Sequence, residues 1–219
     1  MPDLFDNPSQ EKKHVAIAGN IGAGKTALTE VMGQYFDWTP VYEKVDENPY
    51  LTDFYNNMRR WAFNLQVFFL SRRFEQLREI EAMENSVVQD RSIYEDAQIF
   101  ARNLYEMDLM SARDYKNYTN LFAIMTSHVS PPSLLVYLRA SVPTLVDHIQ
   151  RRGREYESGI RIEYLERLQG HYEDWIDDYD RGPKLIIDID ELDFVNEDAD
   201  RRAVLNRIES RLFGLFADE

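Results

Sequence analysis

Eight consecutive residues constrain this chain more than any others: GNIGAGKT, Gly19 to Thr26. They fit G-x-x-x-x-G-K-[ST] without a gap, after an apolar stretch from His14 and before an amphipathic one that runs to Met32. Strand, glycine-rich loop and helix in that order predict a βα unit inside a parallel sheet. Across Gly19, Asn20, Ile21, Gly22, Ala23 and Gly24 the backbone N–H groups can close around phosphate oxygens, and the helix that follows points its positive end at them. Lys25 can reach the β- and γ-phosphates, and the Thr26 hydroxyl can ligate Mg²⁺. The bland alternative is a glycine-rich turn with no ligand. All three parts of the motif stand in their required places, so the reading favoured is a site for a nucleoside triphosphate. The motif leaves open what the phosphate is used for.

Five short aliphatic runs read as buried parallel strands: 14–18, 40–43, 86–90, 134–139 and 184–188. Helical patterns separate them, which predicts an α/β fold with helices on both faces. Ligands of such sheets collect at the carboxyl ends of the strands. Here those ends carry GNIGAGKT, then Glu43, then Asp90-Arg91.

The longest helical pattern runs from Leu51 to about Met83 as one continuous helix, and 111–126 is its expected packing partner. Further helices are expected over 145–151, 164–179 and 202–216. No repeat, low-complexity tract or linker divides the chain, so 1–219 is expected to be one domain, with residues 1–13 flexible.

Four groups of residues can carry chemistry beyond the phosphate loop. Glu43 stands at a strand end, where a general base is plausible, although Asp46 and Glu47 follow closely. In DRS, Asp90 can hold Mg²⁺ directly or through water, and Arg91 can pair with phosphate; a strand-closing surface ion pair is the alternative. RRGRE places Arg151, Arg152 and Arg154 at a helix end in an acidic protein. Arginines on a lid over 151–160 would neutralise a transferring phosphoryl group and exclude water. The alternative is charge that merely complements the helix dipole. Tyr55, Gln66 and Arg73 are 11 and 7 residues apart, which returns them to one helical stripe within roughly 20°. Gln66 could hold a base edge by paired donor and acceptor bonds. By spacing alone, an ordinary half-exposed helix face fits that stripe better.

Charge narrows the partners. A net charge of −14 argues against a general nucleic-acid or anionic-membrane binder. The chain has no cysteine, so disulfides and thiolate metal sites are excluded. The first residues lack the apolar stretch of a signal peptide, and no run approaches the ~18 apolar residues of a membrane span. A cytoplasmic protein is expected.

Several of these motifs fit one family. GNIGAGKT, E-x-V at Glu43, WAFNLQ, DRSIYED and RRGREYESGI followed by EYLERL resemble the deoxyribonucleoside kinases over about Val15 to Asp190. VDENPYL with WAFNLQ and DRSIYED is most similar to the bacterial, purine-preferring deoxyadenosine kinase branch.

The resemblance implies a P-loop kinase with a five-stranded parallel sheet of order 2-3-1-4-5 and an arginine-rich lid. It implies that Glu43 takes the proton of the deoxyribose 5′-hydroxyl, with Arg91 beside it. Asp90, where many relatives have Glu, would help hold Mg²⁺. Gln66 would read the base, Arg73 and Asp96 would contact the base edge, and Tyr55 with Glu157 would recognise the 3′-hydroxyl. Arg152 and Arg154 would be lid arginines, and the stretch from Asp188 to Phe194 would cover the donor's adenine. It further implies a homodimer built on the helix from Leu51 and on 111–126.

The expected reaction is therefore transfer of the γ-phosphate of ATP to the 5′-hydroxyl of a deoxynucleoside, with Mg²⁺. Deoxyadenosine is the expected acceptor, and deoxyguanosine or a broader range the runner-up. A nucleoside monophosphate kinase is the more distant alternative, and a nucleotide switch is disfavoured because no switch-like signature is present. The donor, ATP or GTP, stays open.

Overall fold

The computed structural model describes residues 12–43, 48–154 and 160–214. Strands β1 (His14–Gly19), β2 (Thr39–Val41), β3 (Val87–Asp90), β4 (Leu134–Arg139) and β5 (Lys184–Asp188) form one parallel sheet in the order β2-β3-β1-β4-β5. The expected order is borne out. β2 is shorter and earlier than the run 40–43, because the chain leaves the sheet after Val41 and Glu43 lies beyond its end. Pro40 has no N–H to give a ladder and is tolerated because β2 is an edge strand paired only with β3.

Alternate strand residues serve two cores. Val15, Ile17, Val88, Leu134 and Val136 face one side. There they meet Leu28 and Met32 of α1 (Lys25–Phe36), Leu145 of α7 (Val142–Arg152) and Ile208 of α9 (Asp198–Phe213). Ala16, Ala18, Val87, Leu135 and Tyr137 face the other side. They pack on Leu65, Leu70 and Leu77 of α3 (Met58–Ala82), Tyr118 of α6 (Ala112–Thr126) and Leu168, Tyr172 and Ile176 of α8 (Ile162–Asp178). The sheet is thus sealed on both faces, and its carboxyl edge is left for polar groups.

The single helix expected from Leu51 to Met83 is instead two. α2 (Leu51–Asn56) ends at Asn57, whose backbone leaves the helical region at φ −150°. The Asn57 side chain then accepts from Arg60 N at 3.2 Å and caps α3. An asparagine amide competes for backbone N–H groups, which a periodicity of apolar residues does not register. The stripe joining Tyr55 to Gln66 therefore fails as a helix argument: Tyr55 is on α2, Gln66 and Arg73 are on α3.

Between β3 and α6 the chain also folds into a segment that the apolar pattern did not reveal. It comprises α4 (Ile93–Glu95), a π-helical turn (Asp96–Ala101) and α5 (Arg102–Glu106). Single π turns are frequent at functional positions, and this one begins at Asp96.

Candidate active site

The phosphate loop follows β1 directly. Gly22 and Gly24 hold φ of 89° and 84°, in the left-handed region that a side chain disfavours. A Cβ at Gly22 would lie 2.7 Å from the Leu145 carbonyl, so the backbone passes too close to α7 for any side chain. Polar contacts hold the loop from outside. Asn20 Nδ2 donates to the Leu165 carbonyl at 3.1 Å, and His148 Nδ1 meets the Gly22 carbonyl at 2.9 Å.

Lys25 is buried and donates to the Gly19 and Asn20 carbonyls, both at 2.9 Å. Burial lowers its pKa to about 8. Thr26 Oγ1 donates to Asp90 Oδ2 at 2.6 Å, which joins the start of α1 to the end of β3. The other carboxylate oxygen of Asp90, Oδ1, is buried with no hydrogen-bond partner. A hydroxyl and a carboxylate in contact, one oxygen still vacant, are the hard oxygen donors that Mg²⁺ takes. The donor set fits that ion.

Glu43 is the hub of the second half of the site. Arg73 Nη2 donates to its Oε1 at 2.6 Å, and Arg91 Nε donates to its Oε2 at 3.4 Å. Burial pushes the carboxyl up, but Arg91, Arg73 and Lys25 outweigh it and bring the pKa down to about 2. Glu43 is therefore a carboxylate at any working pH. Arg91 sits at φ 72°, a strained conformation for a residue with a Cβ. Its guanidinium lies 4.6 Å over the Phe100 ring and donates to Tyr172 Oη at 2.9 Å. Burial alone would lower its pKa; the oxygens of Tyr172, Glu43 and Glu95 raise it well above the ordinary value.

Buried polar atoms with unused capacity lie on α3 and at the start of the π turn. Gln66 Oε1, Arg73 Nε and Asp96 Oδ2 have no hydrogen-bond partner. Arg73 Nε and Asp96 Oδ2 stand 3.6 Å apart. Burial raises the pKa of Asp96 to about 7, against the pull of Arg73. Buried polar groups are normally satisfied. Arg73 and Asp96 face each other across that 3.6 Å gap, and Gln66 lies seven residues earlier on α3; an amide, a guanidinium edge and a carboxyl are groups that can bind a polar, planar ligand.

Of the residues singled out in the sequence, Lys25, Thr26, Glu43, Arg73, Asp90, Arg91 and Asp96 form one linked constellation, with Gln66 buried on the same helix as Arg73. Tyr55 is 38% exposed on the neighbouring helix. Arg152 ends α7, Gly153 turns the chain at φ 64°, and Arg154 follows; both arginines are exposed. Glu157 lies outside the described residues. Asp188 ends β5 and pairs with Arg139 at 3.7 Å rather than with the loop. The chain beyond it does return to the loop, since the Phe194 ring would lie 3.0 Å from a Cβ on Gly24.

Sequence reasoning passed over Glu95 and Tyr172. Glu95 is wholly buried and accepts from Gly19 N, Arg91 Nη1 and Tyr172 Oη. The signal was present: Ser92-Ile-Tyr-Glu95 is a capping box, and the structure forms both its bonds.

Comparison with known proteins places the chain in a family. A family model described as deoxynucleoside kinase matches residues 15–212. The chain is 36% identical to the deoxyadenosine/deoxycytidine kinase of Bacillus subtilis (strain 168), with 90% of this chain and 91% of that protein covered. It is 38% identical to the deoxyguanosine kinase of Lactobacillus johnsonii, with 94% and 96% covered. Among solved structures it is similar to the deoxyadenosine kinase from M. mycoides with bound dATP. The TM-score is 0.78 at 28% identity, and 90% of this chain and 100% of that one are covered.

Proposed function

This chain belongs to the deoxynucleoside kinase family, an enzyme family that phosphorylates nucleosides, and from that premise we propose how its residues divide the work. The reaction is transfer of the γ-phosphate of ATP to the 5′-hydroxyl of a deoxynucleoside. Deoxyadenosine is the preferred acceptor. The observation that carries this reading is the placement of Glu43. An ionised carboxylate lies between two arginines, linked through Arg91 and Glu95 to the phosphate loop and through Arg73 to the buried Asp96 carboxyl.

The donor's phosphates lie along Gly19–Thr26, with Asp188–Phe194 beside its base. Lys25 leaves the carbonyls it holds and meets the β- and γ-oxygens. Gln66, Arg73 and Asp96 take the acceptor base, and Tyr55 with Glu157 holds the 3′-hydroxyl. Glu43 accepts the 5′-hydroxyl proton as that oxygen attacks in line. Arg91, Arg152 and Arg154 spread the charge of the transferring group. Thr26 and Asp90 would hold Mg²⁺, which would supply positive charge to the donor phosphates. No acceptor phosphate is needed, which separates this site from that of a monophosphate kinase.

Two copies of the chain pair through α3 and α6 as a helical bundle. Ile124, 61% exposed on α6, supports that reading. Among the described residues no helix is long and apolar enough to cross a membrane. We assign the protein to the cytoplasm.

The test is a phosphoryl-transfer assay with ATP and Mg²⁺ against each of the four natural deoxynucleosides, with ribonucleosides as controls. Deoxyadenosine giving the highest kcat/KM is the expected result. Another deoxynucleoside winning overturns the base assignment and keeps the reaction. Turnover of monophosphates alone overturns the reaction.

A further inference from the structure

Glu95 is a buried carboxylate that the mechanism above does not use. It is 0% exposed and accepts from five donors: Gly19 N at 3.3 Å, Arg91 Nη1 at 3.4 Å, Ser92 N at 2.7 Å, Ser92 Oγ at 3.1 Å and Tyr172 Oη at 2.8 Å. The two from Ser92 are local: the bond from its N–H is one half of the capping box, whose other half runs from the Glu95 backbone N–H to Ser92 Oγ. The other three reach away from α4. One goes to the first residue of the phosphate loop, one to the arginine beside Glu43, and one to the interior of α8. Tyr172 closes the figure, since its hydroxyl also accepts from Arg91 Nη1 at 2.9 Å. Arg91, Tyr172 and Glu95 thus form a triangle of mutual contacts.

A helix cap does not require such an arrangement. Serine and glutamate at those positions cap a helix on a protein surface without an arginine or a tyrosine. Stability does not require it either, because a buried ion pair gains little over well-packed apolar residues. The triangle does, however, meet a need that the site has. Arg91 is held at φ 72°, and a residue with a side chain keeps that conformation only where its surroundings over-determine it. Its contacts with Glu43 and Glu95 are both long, at 3.4 Å, and the tight bond on its guanidinium is the one to Tyr172 at 2.9 Å, which Glu95 in turn holds at 2.8 Å. Tyr172 is itself fixed, its ring stacked on Tyr137 at 5.7 Å and 14°.

We infer that Glu95 and Tyr172 are a positioning pair: they aim Arg91 at the transferring phosphoryl group and hold the acceptor half of the site in register with Gly19 of the donor half. The inference rests on the roles given above to Glu43 and Arg91. Neither residue touches substrate. Their loss disturbs the geometry of the transition state and leaves ground-state binding in place.

The experiment uses Tyr172→Phe, which removes one hydroxyl and keeps the stacked ring, with rates referred to the concentration of nucleotide-binding sites. The expected result is a kcat lower by about tenfold or more, the scale of a small misplacement of a catalytic group. KM for both substrates should stay within about twofold. Glu95→Gln lowers kcat further, and the double variant is no slower than Glu95→Gln alone, because both act through one link. An unchanged kcat in Tyr172→Phe overturns the inference, whether or not Glu95→Gln folds. So does a loss that appears as raised KM, or losses that multiply in the double variant. Wild type and Glu43→Gln run as controls. If wild type turns over no deoxynucleoside, the functional reading itself has failed. If wild type is active and Glu43→Gln is not, a silent Tyr172→Phe counts against the positioning pair alone.

Discussion

Arg73 donates to Glu43 across 2.6 Å, although the two residues come from the middle of a long helix and from the loop after an edge strand. That bond holds the carboxylate at the mouth of the sheet and, with Arg91, keeps it ionised. A base with a pKa near 2 is a poor proton acceptor in the resting enzyme. It takes the proton only as the 5′-oxygen bonds to phosphorus, which makes that proton acidic.

Glu43→Gln should therefore reduce kcat by at least ~100-fold, the usual scale for a positioned base. The folded value lies below the ordinary one, so Glu43 protonates only as pH falls from about 4.5 towards 2. Wild-type kcat/KM should accordingly show no acid limb from this group above pH 5. Near wild-type turnover in the variant removes Glu43 from the mechanism.

Lys25 gives the alkaline limb. Its pKa is lowered to about 8, so the free enzyme loses this charge as pH rises through 8. kcat/KM for ATP should fall above that pH, while kcat, read with phosphates bound, should hold. Lys25→Arg keeps its charge and should abolish the limb at a lower overall rate. A wild-type profile flat to pH 10 would reject the assignment.

Gln66 has a buried amide oxygen without a partner, which a base edge would satisfy. Gln66→Ala should raise KM for the deoxynucleoside by about tenfold and narrow the gap between bases, as losing a paired contact of about 1–3 kcal/mol would. Selectivity ratios measured across the four deoxynucleosides decide this. Unchanged ratios mean that the base is read elsewhere.

Asp90 and Thr26 carry the metal prediction. A chelator should stop turnover, and Asp90→Asn should raise the Mg²⁺ concentration for half-maximal rate by about tenfold or more. Thr26→Ala should act in the same direction. A titration of rate against Mg²⁺ that superimposes on wild type excludes Asp90 as a holder of the ion.

His14 bears on stability rather than activity. Burial lowers its pKa from 6.5 to about 4, against a hydrogen bond to Gln89 Oε1 at 3.0 Å. Between those values the unfolded chain binds the proton and the folded one does not, so stability falls as pH drops through that window. At pH 5 the loss is on the order of 1 to 2 kcal/mol. Denaturant unfolding at pH 7 and pH 5 should show wild type losing that much more than His14→Gln. Parallel losses would refute it.

The sheet and the phosphate loop were legible in the sequence because both are written in consecutive residues. Strands β4 and β5 fall where the aliphatic runs 134–139 and 184–188 predicted them, and the strand order agrees with the resemblance. Asn57 was not legible. The break it makes depends on one side chain capturing a backbone N–H, while the apolar positions on either side keep a helical period. Glu95 and Tyr172 are 77 residues apart, and nothing local to either announces the other. What periodicity can find is a face; what it misses is a partner reached across the fold. The short segment around Asp96 was missed too: its π turn buries Ala97, Ile99 and Ala101 at a spacing that an α-helical period does not match.

The break at Asn57 also has an evolutionary consequence. It puts the residue assigned to the sugar, Tyr55, and the residues assigned to the base, Gln66 and Arg73, on separate helices. Two helices meeting at a capped corner carry the two groups of residues separately. Substitutions along α3 would retune the choice among nucleobases while the discrimination of sugars, carried by α2, is inherited unchanged. A lineage built on this plan would diversify along one axis of its substrate and stay conservative along the other.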